Sequence, residues 1–217
     1  MSGDLWLFGC GRVFESIAAA PTAFDGGAVM RVLRLASTDV IAGEALPEPP
    51  ASDLAVRVFA AVDQSALNFA RFDLYARLRL AGFRFKTLVH SAASVDSSAQ
   101  LGENCWVGAG AIIGAQARLG NNAFVGAGAL IESGASLGAN LWVGAGARVG
   151  ADASVGIHSV IGADVRVGDG VSIGRYCSIE TPGYYLQALA DKTCIDPLFE
   201  LPVRVYSGAA PRTRARG

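Results

Sequence analysis

Residues 101–154 read LGENCWVGAGAIIGAQAR, LGNNAFVGAGALIESGAS and LGANLWVGAGARVGADAS, one 18-residue pattern written three times. A fixed internal period of this kind determines the fold before local propensities do. A shorter period lies inside it, because a branched aliphatic residue occupies every sixth position from Val89 to Ile179 without exception. Each 18-residue unit therefore contains three hexapeptides.

Two other columns accompany the aliphatic residues. A small residue such as Ala111 or Ala129 stands two positions before most of them, so both side chains lie on one face of a short strand. Three positions after most of the aliphatic residues stand Asn, Asp, Gly or His, which tolerate positive φ and mark corners. The corner column comprises Asn104, Gly110, Asn122, Gly128, Gly134, Asn140, Gly146, Asp152, His158, Asp164 and Gly170. The pattern predicts a mainly β fold, a three-sided parallel β-helix of about five coils over residues 87–181.

The composition excludes several classes of protein. Hydrophobic residues make up 52% of the chain, yet no 18 of them stand in a row, so we expect no membrane span. A net charge of −1 gives no basic surface for nucleic acid. Two histidines are too few for a histidine-rich metal site, so we expect no metal. The start of the chain lacks the basic residues of a signal peptide, which predicts a cytoplasmic protein.

The segment before the repeats, residues 1–86, predicts a small α/β unit of Rossmann-like type. Its Gly9-Cys10-Gly11-Arg12 turn joins a strand to a helix, and backbone N–H groups in such turns bind phosphate. We expect this turn to contact the substrate but not NAD, because Phe14 replaces the third glycine of the dinucleotide motif. The expected elements are strands at 5–8 and 56–62 and helices at 12–20 and 65–80.

The segment after the repeats, residues 182–217, predicts a C-terminal extension. Residues 184–190 favour a short helix, and residues 201–206 favour an extended piece that returns over the prism. The end of the chain is rich in Pro, Gly and Arg, which is typical of a solvated tail, and no function is assigned to it.

The [LIV]-G-x-x-x-x hexapeptides resemble those of the hexapeptide-repeat acyltransferases. The order of parts narrows the resemblance: a short α/β unit, a helix with Asn68, Arg71 and Tyr75, and the sequence LVH at 88–90 that leads into the repeats. This order is similar to that of the nucleotide-sugar and sialic-acid-type sugar O- or N-acetyltransferases of bacterial surface-glycan synthesis, including lipopolysaccharide. The resemblance implies a left-handed β-helix, a homotrimer, acetyl-CoA as acyl donor at the subunit cleft, and a nucleotide sugar on the α/β unit.

The same resemblance implies where the chemistry lies. Its catalytic histidine and the acidic residue after it, in a stretch similar to IEHD, fall on Ser133 and Gly134, so neither is present here, whereas Glu132 matches. A second histidine that contacts acetyl-CoA falls on Trp142. The positions along which the pantetheine arm runs are Ala145, Ala163 and Thr181, small residues that leave room for it.

Two residues remain as candidate catalytic bases, since acyl transfer from a thioester needs a group that takes a proton from the acceptor. His158 belongs to the corner column, so it is either a relocated base or a positive-φ residue on the surface. Glu132 stands next to the position of the absent histidine and is either a base or a solvated side chain.

An outward-facing series of aromatic residues recurs every 18 residues: Trp106, Phe124 and Trp142, here called the aromatic ladder. Apolar rings in a row need a cover. We expect a neighbouring subunit to supply it around a threefold axis, with a ligand cleft or the C-terminal tail as the other candidates.

Two functions are compatible with these features. The first is an enzyme that transfers an acetyl or other acyl group from acyl-CoA to a nucleotide-linked sugar. The second is a catalytically inactive trimeric relative that acts as a binding or scaffold protein, because Ser133 and Gly134 replace the catalytic pair. Fold does not decide between them.

Overall fold

The computed structural model describes residues 5–20, 23–24, 30–36 and 56–204. The described residues form two α-helices and 22 β-strands. The N-terminal unit contains β1 Leu5–Cys10, α1 Arg12–Ala19, β2 Met30–Arg34, β3 Arg57–Val62, a 3₁₀ turn at Ala66–Asn68, and α2 Phe69–Leu80. Its three strands are parallel in the order β2-β1-β3. No helix in these ranges is long and apolar enough to cross a bilayer.

The predicted strands and helices of this unit are confirmed with small shifts at their ends. The largest difference lies before α2, where the predicted helix from residue 65 is interrupted. Leu67 and Asn68 both have left-handed φ, 57° and 63°, so the 3₁₀ turn and α2 are separated by a kink. The Arg-rich end of the chain lies outside the described residues.

The repeats form a parallel β-helix with three faces. Face A contains β4 Leu88–Val89, β7 Trp106–Val107, β10 Phe124–Val125, β13 Trp142–Val143, β16 Val160–Ile161, β19 Ser178–Ile179, β21 Thr193–Ile195 and the antiparallel β22 Val203–Arg204. Face B contains β5 Ser94–Val95, β8 Ile112–Ile113, β11 Leu130–Ile131, β14 Arg148–Val149, β17 Val165–Val167 and β20 Gly183–Tyr185. Face C contains β6 Gln100–Leu101, β9 Arg118–Leu119, β12 Ser136–Leu137, β15 Ser154–Val155 and β18 Ser172–Ile173. Successive parallel strands on a face are 18 residues apart, as the repeat predicts, except that β21 follows β19 more closely, with Ser178 paired to Cys194.

The interior confirms both inward columns. The aliphatic residues from Val107 to Ile179 and the alanines between them are buried in one continuous core. Burying each aliphatic side chain contributes about 1.5–3 kcal/mol, so stability is spread evenly along the column. All eleven predicted corner residues have φ between 55° and 75°, and Gln116, Tyr176 and Lys192 share this conformation.

The β-helix continues beyond residue 181, to about six coils. β20 pairs with β17, and β21 pairs with β19. The short helix predicted at residues 184–190 is therefore wrong, because Gly183–Tyr185 is a strand and Leu189 bridges Ile173. The extended segment predicted from residue 201 is confirmed at Val203–Arg204, and its last residues lie outside the described ranges.

The cover of the aromatic ladder differs from the expectation. Trp106 and Phe124 are 8% and 9% exposed because the N-terminal unit of the same chain packs on them. The rings of Phe24 and Phe59 lie 4.8 and 6.2 Å from that of Trp106, centroid to centroid. The prediction that a neighbouring subunit covers the ladder is therefore wrong: the N-terminal unit and face A share one apolar core.

Candidate active site

Glu132 stands out in the central coils, in a column that is mostly glycine. Every residue that follows an inward aliphatic residue from Leu101 to Ile173 is glycine except Glu132. The glycines are required because a Cβ would collide with the backbone of the next coil, as at Gly126, where it would lie 2.7 Å from the Ala145 nitrogen. A charged residue in this column is thus a departure that packing does not explain.

The Glu132 carboxylate lies at the corner between faces B and C. Its side chain is 21% exposed and forms an ion pair with Arg148, which projects from face B. Ser133 is exposed beside it. Asp152 lies one coil further on, and its carboxylate occupies the space that a side chain on Gly134 would need. Two carboxylates therefore flank the position at which the resemblance places a histidine and an acid, and Asp152 was identified from sequence only as a corner residue.

A line of cationic and aromatic side chains continues from Glu132 along face B. Arg148 and Arg166 follow each other on paired strands. Arg166 Nη1 donates a hydrogen bond of 2.8 Å to the Tyr184 hydroxyl, and its guanidinium lies 5.1 Å from the centre of that ring. These three residues line a cavity of about 230 Å³ near the last coils. Guanidinium groups of this kind bind phosphate oxygens in pairs, and the aliphatic periodicity used for prediction does not reveal them.

The predicted donor-binding residues lie in two places. Ala145 and Ala163 are exposed and stack with the half-buried Thr181 along the corner between faces A and B. Trp142 instead belongs to the aromatic ladder, where its ring stacks on that of Phe124 at 3.7 Å between centroids. Ala145, Ala163 and Thr181 border face B, whereas the ring of Phe124 already covers one side of the Trp142 ring.

The predicted phosphate-binding turn has an internal partner. The Asp63 carboxylate accepts hydrogen bonds from the backbone N–H groups of Arg12 and Val13, both 2.8 Å long. It therefore caps the start of α1, which has no side-chain cap from its own N-cap residue, Gly11. The Arg12 N–H group is therefore not open to a phosphate, and substrate contact by the rest of the turn stays a prediction. The Cys10 side of the turn is half-buried.

The two glycines of this turn have a structural cause. A Cβ on Gly9 would collide with the Ala61 carbonyl oxygen of β3, and a Cβ on Gly11 would lie 2.7 Å from the Asp63 carboxylate. Close approach of neighbouring backbone and the Asp63 cap therefore explain the sequence motif that predicted phosphate binding.

His158 ends a buried series of amide side chains at the corner between faces C and A. Asn104, Asn122 and Asn140, here called the asparagine ladder, are 0–1% exposed. Asn104 Oδ1 accepts from the Ala60 N–H at 2.8 Å, and its Nδ2 donates to Asn122 Oδ1 at 2.7 Å. Asn122 Nδ2 donates to Asn140 Oδ1 at 2.6 Å. Asn140 Nδ2 then lies 2.8 Å from His158 Nδ1.

This direction of donation assigns the state of the histidine. Because Asn140 donates through its amide nitrogen, His158 Nδ1 must accept, so the ring is neutral with its proton on Nε2. His158 is 7% exposed and packs against Phe69 and Tyr176, with ring centroids at 5.1 and 5.2 Å. The prediction that it lies on the surface is wrong, because α2 covers it. It also lies on a different corner from Glu132, so the structure does not bring the two candidate bases together.

The buried histidine predicts a pH-dependent stability. Burial lowers the pKa of His158 below its usual 6.5, partly offset by the Leu67 carbonyl. The unfolded chain therefore takes up this proton at a higher pH than the folded chain, so the stabilisation present above pH 6.5 is lost as pH falls through the folded pKa. We expect the His158→Asn variant, which extends the asparagine ladder, to lose less stability than the parent over this range. Urea unfolding at a series of pH values measures the difference, and parallel curves for both proteins would contradict it.

Arg71 of α2 contacts both the asparagine ladder and the aromatic ladder. It is 2% exposed, and its Nη2 donates to the backbone carbonyl of Asn122. The guanidinium lies 5.9 Å from the ring centres of both Phe124 and Trp142. Burial lowers the pKa of Arg71 to about 10. Arg71 therefore joins the asparagine ladder and the aromatic ladder beneath one helix.

The comparisons with known proteins agree with this architecture. The family described as GMPPB C-terminal domain matches residues 83–182. No curated protein sequence matches the chain. A histidine-to-alanine variant of GDP-perosamine N-acetyltransferase from Caulobacter crescentus, solved with CoA and GDP-perosamine, is 25% identical. The match has a TM-score of 0.67 and covers 89% of this chain and 93% of that chain.

Two further structures share the fold at lower identity. The acetyltransferase domain of PglB from Neisseria gonorrhoeae is 20% identical, with a TM-score of 0.55 over 89% of this chain and 97% of that domain. WeeI from Acinetobacter baumannii is 12% identical, with a TM-score of 0.52 over 88% of this chain and 95% of that chain. The chain therefore has the fold of the hexapeptide-repeat β-helix acetyltransferases along both of its units.

Proposed function

We propose that this protein is an acyl-CoA-dependent acetyltransferase that modifies an amino or hydroxyl group of a nucleotide-linked sugar. The observation that carries the proposal is the match over both units to GDP-perosamine N-acetyltransferase bound to CoA and GDP-perosamine. A match confined to the β-helix would not indicate which acceptor the enzyme uses. Here the α/β unit, on which we expect the nucleotide sugar to bind, matches as well.

The side chains of face B fit the donor. CoA supplies the acetyl group as an activated thioester. Ala145 and Ala163 are exposed and small, so a pantetheine arm can run along their corner close to the backbone. Arg148 and Arg166 place two guanidinium groups on the adjoining face, next to the 230 Å³ cavity, where they match the phosphates of CoA.

Glu132 is the residue to which we assign the proton transfer. The acceptor nitrogen or oxygen attacks the thioester carbonyl, a bond from it to the carbonyl carbon forms, and the carbon–sulfur bond breaks. The acceptor's proton moves to the Glu132 carboxylate and from there to the departing thiolate, so charge and atoms balance. Arg148 holds the carboxylate in place at the B–C corner. His158 is unsuited to this step because Asn140 and α2 enclose it.

We place the enzyme in the cytoplasm, where acetyl-CoA is available, and in surface-glycan synthesis such as that of lipopolysaccharide. We also propose a homotrimer, supported by apolar side chains that project from face B: Ile112 is 48% exposed and Leu130 is half-buried. Sedimentation equilibrium should give three times the 22.3 kDa chain mass. A mass equal to one chain at micromolar concentration would exclude the trimer.

A non-catalytic binding protein is the second candidate, favoured by Ser133 and Gly134 at the catalytic positions of the resembled family. One assay separates the two. Purified protein is incubated with acetyl-CoA and a panel of nucleotide-linked amino sugars, and free CoA thiol is measured. We expect thiol release with at least one sugar and none without acceptor. Binding of acetyl-CoA without release for any sugar in the panel would favour the binding protein.

A further inference from the structure

A hairpin closes the last coil of the β-helix, at the end of the column that is furthest from the first repeats. Its two strands, β21 and β22, pair antiparallel. Residues 196–202 connect them and are here called the hairpin tip. Asp196 orders the first turn of the tip, because its carboxylate accepts a hydrogen bond of 2.8 Å from the Leu198 N–H and its carbonyl accepts one of 3.0 Å from the Phe199 N–H. The backbone of the tip is therefore held in a defined turn.

Three exposed apolar side chains stand together on the hairpin tip. Leu198, Phe199 and Leu201 are 86%, 51% and 76% exposed. Single exposed apolar residues are common on protein surfaces, whereas a contiguous group of them favours contact with a partner surface. Glu200 lies between them in sequence and is exposed as well. The tip therefore presents apolar surface beyond the last coil, bordered by polar groups.

The sequence that contains the hairpin tip is basic. Residues 198–217 include four arginines and one glutamate, whereas the whole chain has a net charge of −1. Arg212, Arg214 and Arg216 follow one another at alternate positions. Because a residue spans at most about 3.6 Å, Arg212 lies within roughly 30 Å of Arg204 at the end of β22. Positive charge and apolar side chains can therefore reach the same flat surface.

We propose that the hairpin tip docks on the surface of an anionic lipid bilayer. Apolar side chains bury at the boundary between headgroups and acyl chains, and basic residues nearby are attracted to anionic lipids. A bilayer thus complements both the apolar tip and the excess of arginine that follows it. Three side chains offer far less than the ~800 Å² that each partner buries in a stable protein–protein interface, so a lipid surface fits the tip better than a protein does. The proposal goes beyond acetyl transfer and does not rest on it.

Flotation of the full chain with lipid vesicles tests the docking of the tip. We expect the parent to bind vesicles of phosphatidylglycerol mixed with phosphatidylcholine, and not vesicles of phosphatidylcholine alone. Leu198→Ser should bind about tenfold more weakly, because a leucine side chain no longer transfers out of water. Leu80→Ser is the matched control: Leu80 is 88% exposed at the end of α2, outside the tip, so its variant should bind like the parent.

A second variant measures the contribution of charge. It combines Arg212→Gln, Arg214→Gln and Arg216→Gln, which removes the three arginines and leaves the hairpin tip unchanged. We expect roughly hundredfold weaker binding to the anionic vesicles at physiological ionic strength, because each arginine near such a surface adds to the attraction. The difference from the parent should shrink as salt is raised, since salt screens this attraction.

Three results would overturn the proposal. The first is the absence of binding to anionic vesicles at low salt. The second is equal binding by Leu198→Ser and the parent, which would show attraction by the arginines without docking of the tip. The third is a lower sedimentation mass of Leu198→Ser in the absence of lipid, which would assign the tip to contacts between copies of the chain. Thiol release from acetyl-CoA by Leu198→Ser should match the parent, so failure of bilayer docking and failure of the acetyltransferase assignment are separable.

Discussion

Replacing Gly144 with alanine is expected to lower the free energy of unfolding by about 3 kcal/mol or more. A Cβ at this position would lie 2.5 Å from the Ala163 nitrogen and 2.7 Å from the Gly162 carbonyl carbon. Both are backbone atoms of the next coil, held by strand pairing between β13 and β16, so they cannot rotate away. Urea unfolding followed by circular dichroism measures the loss.

Gly128→Ala is the matched control. Gly128 has φ +65°, and a Cβ there would meet no atom within 4 Å. Its replacement therefore costs only the left-handed conformation, roughly 1 kcal/mol. A loss for Gly128→Ala equal to that for Gly144→Ala would show that conformation rather than coil spacing dictates the glycines.

Replacing Glu132 with glutamine is expected to lower kcat for acetyl transfer by about 10²- to 10⁴-fold, the usual contribution of a general base. Glutamine keeps the shape of the side chain and an acceptor for Arg148, but it cannot take up the acceptor's proton. KM for acetyl-CoA should change little, since the amide occupies the same place. Steady-state thiol release gives both constants.

Asp96→Asn controls for the loss of a carboxylate at this corner. Asp96 also follows a face B strand, two coils before Glu132, and its side chain is engaged with Ser98. Its replacement should leave kcat unchanged. Full activity of Glu132→Gln would remove Glu132 as the base and direct attention to Asp152 at the same corner.

The β-helix could be predicted in detail because each position repeats its role from coil to coil. A residue such as Ala129 or Asn140 is constrained mainly by its own hexapeptide and by residues 18 positions away. The environment of each position can therefore be predicted from the periodic sequence. The α/β unit and the later coils depend on contacts with less regular spacing. Residues 184–190 were therefore predicted as a short helix from the sequence, whereas pairing with β17 makes Gly183–Tyr185 a strand.

The site residues depend on contacts that no local pattern contains. His158 is on the expected corner with the expected φ, but its burial comes from Phe69 and Phe72 of a helix about 90 positions earlier in the chain. In the same way Asp63, about 50 positions after the Gly9–Arg12 turn, accepts hydrogen bonds from the backbone N–H groups of Arg12 and Val13. Glu132 could be found from sequence because it matches the resembled stretch, next to the position of the absent histidine.

The shared apolar core of the N-terminal unit and face A limits how the two units can be separated or exchanged. A cut at residue 86 would leave Trp106 and Phe124, now 8% and 9% exposed, open to water on the isolated β-helix. Grafting an α/β unit from another acetyltransferase to change sugar preference would need matching partners for these rings at Phe24 and Phe59. Exchange of specificity by recombination is thus restricted to pairs of units that have evolved against the same strip of rings.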